Sequence, residues 1–277
     1  MKILVTTPSG KVGRELVEIL NVRGVALRLG AHSVERTRQA YPGLEVVRLD
    51  YGDAASVLAA VRGVDAVYLA SPGDFPAEPE KRLIDVAKTG SVKKIVKLSA
   101  MGVEATDVPL RQVEKHLEGS GLAYAILRPT WFMQNFSTAH AAAIRAGTLA
   151  EPAATARTAF IDARDIAEVA AAALTGPGHD GRAYTLTGPE LLDRNDVVAA
   201  ISKEIGRTVK YLPVTDEQFR AAVKGALSPS YVELLSSLYA GARAGYTERK
   251  TDDVEKLLGR APRSFAQFVR DHRAVWA

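Results

Sequence analysis

The chain has 277 residues, of which 47% are hydrophobic and 25% are charged, as in an ordinary folded protein and unlike a disordered, collagen-like or coiled-coil one. Its 36 lysines and arginines exceed its 32 aspartates and glutamates by too little to indicate a nucleic-acid or membrane surface. Cysteine is absent and the five histidines lack metal-site spacing, so disulfides, a cysteine nucleophile and a metal site are not expected.

The N-terminus shows no signal-peptide pattern, because the apolar run Ile3-Leu4-Val5 is too short for a signal h-region. No later stretch reaches the apolar length of a membrane span. We therefore expect a cytoplasmic protein without a membrane span.

The first half of the chain alternates short runs rich in Val, Ile and Leu with amphipathic segments, a pattern typical of βαβ units that build a parallel sheet. The predicted strands are residues 2–6, 25–29, 44–49, 66–70, 94–99 and 123–127. Helices are predicted at 12–22 and 56–61, where apolar residues recur every three or four positions. Lys93, Lys94 and Lys97 form the densest basic cluster; without aromatic partners, they indicate a solvated strand end rather than a nucleic-acid site.

The second half is less regular and more helical, and no linker rich in Gly, Ser or Pro separates it from the first. Helices are predicted at 162–174, 194–205, 216–223, 231–244 and 264–274, and strands at 183–186 and 209–213. The predicted fold class is therefore α/β: a Rossmann-type doubly wound parallel sheet with a smaller, mostly helical C-terminal lobe. We place the NAD(P)-binding domain at residues 1–155 and the substrate lobe, which would not fold independently, at residues 156–277.

A glycine loop joins the first strand to the first helix. Residues 6–13 read TTPSGKVG, so Gly10 and Gly13 stand where a dinucleotide pyrophosphate would approach the helix N-terminus. The first glycine of the usual fingerprint is replaced by Thr7, followed by Pro8, so the turn lacks its most permissive residue. The loop indicates either a phosphate cradle or a plain strand-to-helix turn with a glycine packing contact.

Several further motifs follow this loop in a characteristic order: LDYGD at 49–53, GVDAV at 63–67 and VKLSA at 96–100, then LRPTWFMQNF at 127–136, FIDARDIA at 160–167, YTLTGP at 184–189 and TDDV at 251–254. With the glycine loop, they resemble the NmrA-like atypical short-chain dehydrogenase/reductases over nearly the whole chain. The nearest branch is the NAD(P)H:quinone oxidoreductase type. The resemblance implies a reduced nicotinamide cofactor, NADP or NAD, at the C-terminal edge of the sheet and a small aromatic substrate under the C-terminal lobe.

The carboxyl ends of the predicted strands are where an open parallel sheet binds its ligand, which agrees with that implication. The predicted cofactor-binding residues are Thr7, Pro8, Ser9, Gly10, Lys11, Val12, His32, Asp50, Tyr51, Ser71, Pro72, Ser99 and Ala100. Asp50 is equally explained as a turn residue before Gly52.

The chain departs from the family pattern at two places. His32 occupies the position at which an Arg of many relatives meets the 2′-phosphate of NADPH, which leaves the choice between NADH and NADPH open. Ser99 fills the Ser position of the wider superfamily, but Thr106 and Leu110 occupy the positions of its Tyr and Lys. The literal Tyr246-x-x-x-Lys250 is interpreted as a chance match, and we assign no catalytic acid or base.

An aromatic segment after the sixth strand supplies the predicted substrate-binding residues: Trp131, Phe132, Gln134, Asn135 and Phe136. A flat acceptor could stack on these rings while an amide donates to its oxygen, or the rings could simply fill the seam between lobe and sheet. Asp162 and Asp165 resemble an acid–base pair but are better explained as a helix cap and a first-turn charge.

These features predict an NAD(P)H-dependent oxidoreductase that transfers a hydride to a quinone-like or other conjugated small molecule. Such chemistry requires no ionising catalyst, because the charge spreads over the conjugated acceptor. The alternative is a non-enzymatic redox sensor that binds the dinucleotide and a protein partner. We expect no nucleic-acid partner.

Overall fold

The computed structural model describes residues 1–71 and 76–277, which form two compact units. Unit 1 comprises Met1–Pro129 and Ile166–Thr185, and unit 2 comprises Thr130–Asp165 and Leu186–Ala277. The two units therefore interleave along the chain, whereas the boundary expected from the sequence is a single point between residues 155 and 156. The interleaving arises because a late helix and strand belong with the first unit.

A seven-stranded sheet organises unit 1. In chain order its strands are β1 (Lys2–Val5), β2 (Ala26–Ala31), β3 (Glu45–Arg48), β4 (Ala66–Leu69), β5 (Lys94–Leu98), β6 (Ala123–Pro129) and, after a strand of unit 2, β8 (Arg182–Leu186). Their spatial order is β3-β2-β1-β4-β5-β6-β8, and the pairs from β3 through β6 are parallel. The strand order reverses at β1, between β2 and β4, which confirms the doubly wound Rossmann-type sheet.

Helices connect these strands: α1 (Lys11–Val22), α2 (Val34–Ala40), α3 (Ala54–Val61), α4 (Ala77–Lys88), α5 (Pro109–Glu118) and α8 (Ala163–Thr175), whose first residues lie in unit 2. The α1 helix buries Val12, Leu16, Val17 and Leu20, the positions that its apolar spacing indicates. Strand residues such as Val67 and Ile95 form one core cluster with Leu83 and Leu117 of the helices.

Unit 2 contains a small parallel sheet of two strands, β7 (Thr148–Glu151) and β9 (Lys210–Pro213). Its helices are α6 (Gln134–Ser137), α7 (Ala141–Arg145), α9 (Arg194–Ile205), α10 (Asp216–Val223), α11 (Pro229–Arg243), α12 (Asp253–Leu258) and α13 (Phe265–His272). An aromatic core of Phe136, Phe160, Phe265, Phe268 and Trp276 packs with apolar residues of α7 and α9. No helix among the described residues is long and apolar enough to cross a membrane.

Candidate functional site

The loop between β1 and α1 turns without any left-handed residue. Gly10 is the N-cap of α1 with φ −72° and ψ 166°, and its N–H donates to the Thr7 carbonyl at 3.0 Å. Within the described ranges Ala154 is the one non-glycine residue with positive φ. Thr7 can therefore replace the first fingerprint glycine, because this turn does not need the conformation that glycine alone adopts readily.

The two glycines of this loop differ in how closely other atoms approach them. A Cβ atom on Gly13 would lie 1.9 Å from the Thr7 carbonyl oxygen, so this position requires glycine. A Cβ on Gly10 would lie 3.3 Å from the same oxygen, a tight but less severe approach. The first turn of α1 carries no acidic residue and no side-chain cap, so the positive end of the helix suits an anionic group.

The ends of β2 and β3 bring His32 and Asp50 close together. His32 is exposed just after β2, and the backbone N–H of Gly52 and the Arg48 guanidinium donate to the Asp50 carboxylate at 2.9 and 3.0 Å. The Gly52 N–H, then Arg48 and the nearby His32 hold the pKa of Asp50 below its ordinary value. Asp50 thus stays ionised and forms the turn before Gly52.

Tyr51 ties the ends of three strands together. Its hydroxyl donates to the Ala70 carbonyl at 3.1 Å, and the Thr6 hydroxyl donates to the same oxygen at 3.1 Å. The Ala70 N–H returns a hydrogen bond to the Thr6 hydroxyl at 3.0 Å. These contacts fix the backbone just before Ser71; the next predicted residue, Pro72, lies outside the described residues.

Ser99, directly after β5, has a buried hydroxyl with no hydrogen-bond partner of ordinary geometry in the described part of the chain. Its side chain faces Glu114, to which Arg128 donates twice, at 3.0 and 2.8 Å. Burial raises the pKa of Glu114, but Arg128, Ser99 and Arg111 outweigh it, so the pKa lies below its ordinary value. Ala100 follows Ser99, half-buried, at the same strand end. A buried hydroxyl at a strand end, without a hydrogen bond of ordinary geometry to any described residue, fits a polar ligand such as a dinucleotide.

The superfamily's Tyr and Lys positions offer no proton donor. Thr106 is exposed, and its hydroxyl donates to the Val103 carbonyl at 2.9 Å, while Leu110 lies in the first turn of α5. Tyr246, in unit 2, is 78% exposed, and Lys250 donates to the Pro189 carbonyl.

The interpretation of the lysine cluster as a solvated strand end is wrong for Lys97. This side chain is fully buried and donates to both carboxylate oxygens of Glu80 on α4, at 3.1 and 3.0 Å, and to the Leu98 carbonyl at 2.7 Å. Sequence spacing could not reveal this pair, because its partner lies on another element. Lys94 also has a partner, Asp180, at 2.9 Å, whereas Lys93 is exposed.

The predicted substrate residues all lie in unit 2, but they differ in burial. Trp131, Phe132 and Asn135 are half-buried. Gln134 is buried, donating to Asp162 at 2.8 Å and accepting from the Ala163 N–H at 2.9 Å. Phe136 is also buried, with its ring 5.1 Å from that of Phe160 and 5.7 Å from that of Phe265.

The two aspartates at the start of α8 are structural. Asp162 accepts from the Arg164 N–H at 2.9 Å, as a helix cap does, and its carboxylate also pairs with the Arg164 guanidinium. Asp165 is paired with Arg260 and Arg263.

A family model described as NAD(P)H-binding matches residues 9–177, which include Gly10 and Gly13 of the glycine loop and the ends of β2 to β5. The chain belongs to this NAD(P)H-binding family. A curated relative, the NAD(P)H azoreductase of Xenophilus azovorans, is 34% identical over 99% of both chains. The protein described here is therefore an NAD(P)H-dependent oxidoreductase whose cofactor is NADP or NAD.

Solved structures share the fold of this chain. The NADPH complex of quinone oxidoreductase 2 from Escherichia coli superposes with a TM-score of 0.85 at 25% identity, covering 98% of this chain and 99% of that one. Nmra, a negative transcriptional regulator solved in complex with NAD, shares the fold with a TM-score of 0.74 at 19% identity, over 98% of this chain and 94% of its own.

Proposed function

We propose that this protein transfers a hydride from a reduced nicotinamide dinucleotide to a quinone-like, azo or other conjugated acceptor. The observation that carries the proposal is a nucleotide edge that keeps its glycine loop and Ser99 while Thr106 and Leu110 replace the proton-donating pair. Reduction of a simple ketone leaves a basic alkoxide that needs a nearby acid, whereas a reduced conjugated acceptor spreads its charge. The azoreductase relative, named for a conjugated substrate, supports this acceptor class.

The bound dinucleotide supplies the hydride. Residues 7–12 and the N-terminus of α1 would hold its pyrophosphate, since backbone N–H groups and the helix dipole favour anions there. His32, Asp50 and Tyr51 would bind at the ends of β2 and β3, and Ser71, Ser99 and Ala100 at the ends of β4 and β5. Pro72, which lies outside the described residues, stays a prediction from the sequence.

The acceptor would bind to the half-buried residues Trp131, Phe132 and Asn135, because aromatic faces stack on flat rings and an amide can donate to a developing oxyanion. Gln134 and Phe136 would support that surface from the packed interior of unit 2, where their contacts are already satisfied. Location in the cytoplasm stays a prediction.

Oxidation of NADPH and NADH, followed with a quinone, an azo dye and a simple aliphatic ketone, tests the proposal. We expect turnover of the first two acceptors and negligible turnover of the ketone. Ser99→Ala should lower the quinone rate by less than about a hundredfold, the low end of a positioned acid's contribution. Brisk ketone turnover, or a larger loss in Ser99→Ala, would show that the chain has a proton donor not identified above and that the assignment of a conjugated acceptor rests on the wrong mechanism.

A further inference from the structure

One tyrosine outside the predicted cofactor-binding residues is bonded to the glycine loop. Tyr41 follows the last residue of α2, and its hydroxyl donates to the Pro8 carbonyl at 2.9 Å. The two residues lie 33 positions apart in the chain. The hydrogen bond therefore connects the segment between α2 and β3 to the turn between β1 and α1.

The Tyr41 hydroxyl is a durable donor to this carbonyl. Burial raises the pKa of Tyr41, and the nearby Glu18 raises it further, so the phenol keeps its proton. Pro8 is buried, whereas Tyr41 is half-buried. Because a buried carbonyl needs a hydrogen-bond partner, the Pro8 carbonyl would have to turn toward solvent if the hydroxyl were removed.

Fixing the Pro8 carbonyl also fixes the next N–H group of the loop. The carbonyl of Pro8 and the N–H of Ser9 belong to one peptide unit, and the described residues contain no cis peptide bond. In a planar trans peptide these two groups point in opposite directions. The hydrogen bond from Tyr41 therefore sets the direction of the Ser9 N–H.

This N–H matters more here than in a loop with the usual fingerprint. Pro8 has no N–H to offer, and the Gly10 N–H donates to the Thr7 carbonyl at 3.0 Å. Ser9 is exposed, and its N–H has no hydrogen-bond partner among the residues that the structure describes. Of the N–H groups at positions 8–10, that of Ser9 is thus the one that an anionic ligand can reach.

We propose that Tyr41 is a positioning residue for the cofactor: by holding the Pro8 carbonyl, it directs the Ser9 N–H toward the pyrophosphate. The inference rests on the placement of the pyrophosphate at this loop in the proposed function. A donor that is oriented before binding reduces the ordering cost of binding, so Tyr41 acts on dinucleotide affinity and not on hydride transfer. NADPH and NADH carry the same pyrophosphate, so both should depend on Tyr41 equally.

Tyr41→Phe tests the assignment, because it keeps the ring and removes the donor. The matched control is Tyr211→Phe in unit 2, which removes a hydroxyl that also donates to a backbone carbonyl, that of Glu151, at 3.0 Å. Tyr211 is half-buried like Tyr41. The Kd values of NADPH and NADH are measured by fluorescence titration, kcat is measured with a quinone at saturating NADPH, and thermal unfolding shows whether each variant is folded.

We expect Tyr41→Phe to raise the Kd of NADPH and that of NADH by the same factor, about three- to tenfold, which is the contribution of one neutral hydrogen bond. The kcat at saturating NADPH should stay within about twofold of the wild-type value, because the reacting atoms are not affected. Tyr211→Phe should leave both Kd values unchanged.

Three results would overturn the assignment. A loss of affinity for NADPH alone would show that Tyr41 contacts the 2′-phosphate directly, and unchanged Kd values would show that the loop keeps its conformation without Tyr41. Equal losses in Tyr41→Phe and Tyr211→Phe, or a Tyr41→Phe protein that does not fold, would show that the hydroxyl serves general stability. A wild-type protein that binds NADPH but reduces no conjugated acceptor would contradict the proposed acceptor class alone, because the affinity measurements need no acceptor.

Discussion

Each unit contains a buried ion pair, and the two pairs are built differently. In unit 1 the ammonium group of Lys97 has three acceptors, the two oxygens of Glu80 and the Leu98 carbonyl. In unit 2 Glu151 is shared between Arg194 and His140, and the Nη2 atom of Arg194 has no hydrogen-bond partner among the described residues. The first pair is fully hydrogen-bonded within the interior, whereas the second includes a histidine that solvent reaches.

The largest effect expected from this comparison is on stability. Lys97→Met leaves Glu80 charged, buried and unpaired, so we expect a loss of about 3–5 kcal/mol in the free energy of unfolding. The double variant Lys97→Met/Glu80→Met should recover most of it, because apolar side chains replace a buried pair at little cost. His140→Gln should cost less than about 1 kcal/mol, since Arg194 still pairs with Glu151. Urea unfolding of the wild type and these three variants measures the differences in unfolding free energy. Equal losses of unfolding free energy in Lys97→Met and His140→Gln would contradict the difference between the two buried pairs.

The pH dependence of unfolding tests the interactions of Glu151 with Arg194 and His140. Because the pKa of Glu151 is lowered in the folded state to about 2, its stabilising contribution is present above its unfolded pKa of about 4.5 and is lost as the pH falls toward 2. The difference corresponds to about 3 kcal/mol. We expect Glu151→Gln to flatten the dependence of unfolding free energy on pH between about 4.5 and 2. An unchanged slope would mean that Glu151 is not held ionised by its partners.

Substitutions at the two loop glycines should affect stability and NADPH binding differently. Gly13→Ala forces a Cβ to within 1.9 Å of the Thr7 carbonyl, so we expect a loss of about 1–3 kcal/mol in stability. Gly10→Val should lose less stability than Gly13→Ala, since φ of −72° suits any residue and its Cβ would lie 3.3 Å from that oxygen, yet it should abolish NADPH binding by occupying the approach of the pyrophosphate. NADPH fluorescence titration checks the second expectation; equal affinity of wild type and Gly10→Val would place the cofactor elsewhere.

The smallest expected effect concerns cofactor choice. His32 lies exposed after β2 and lacks the planar, permanently charged fork with which an Arg holds a phosphate. We expect only a modest preference between NADPH and NADH in the wild type. His32→Arg should raise NADPH affinity by about tenfold, near 1.4 kcal/mol, without changing that for NADH. If the affinity ratio does not change, the alignment at the end of β2 is wrong.

The sequence allowed the sheet of unit 1 and the position of its nucleotide edge to be predicted, because both depend on local patterns. Apolar runs in the first half mark β1 to β6, and the TTPSGKVG loop marks the start of α1. The helix now labelled α8 was also predicted, within one residue at each end.

Features that depend on distant partners were missed. The strand β7 was not predicted, because four residues gain strand geometry only by pairing with β9, about sixty positions later. The buried ion pair of Lys97 with Glu80 and the hydrogen bond from the Tyr51 hydroxyl to the Ala70 carbonyl likewise connect separate elements. No sequence motif connects His140 with its carboxylate partner Glu151, which ends the unpredicted strand β7.

The most direct test of hydride transfer is a stopped-flow reaction of the wild-type protein, loaded with NADPH carrying deuterium at the transferred position of C4, with a quinone. We expect the bound cofactor to be oxidised in a single turnover and deuterium to slow this phase by a primary isotope effect. A simple aliphatic ketone should leave the bound cofactor reduced. Quinone reduction without an isotope effect on any phase faster than product release, or no oxidation of the bound cofactor at all, would contradict the account.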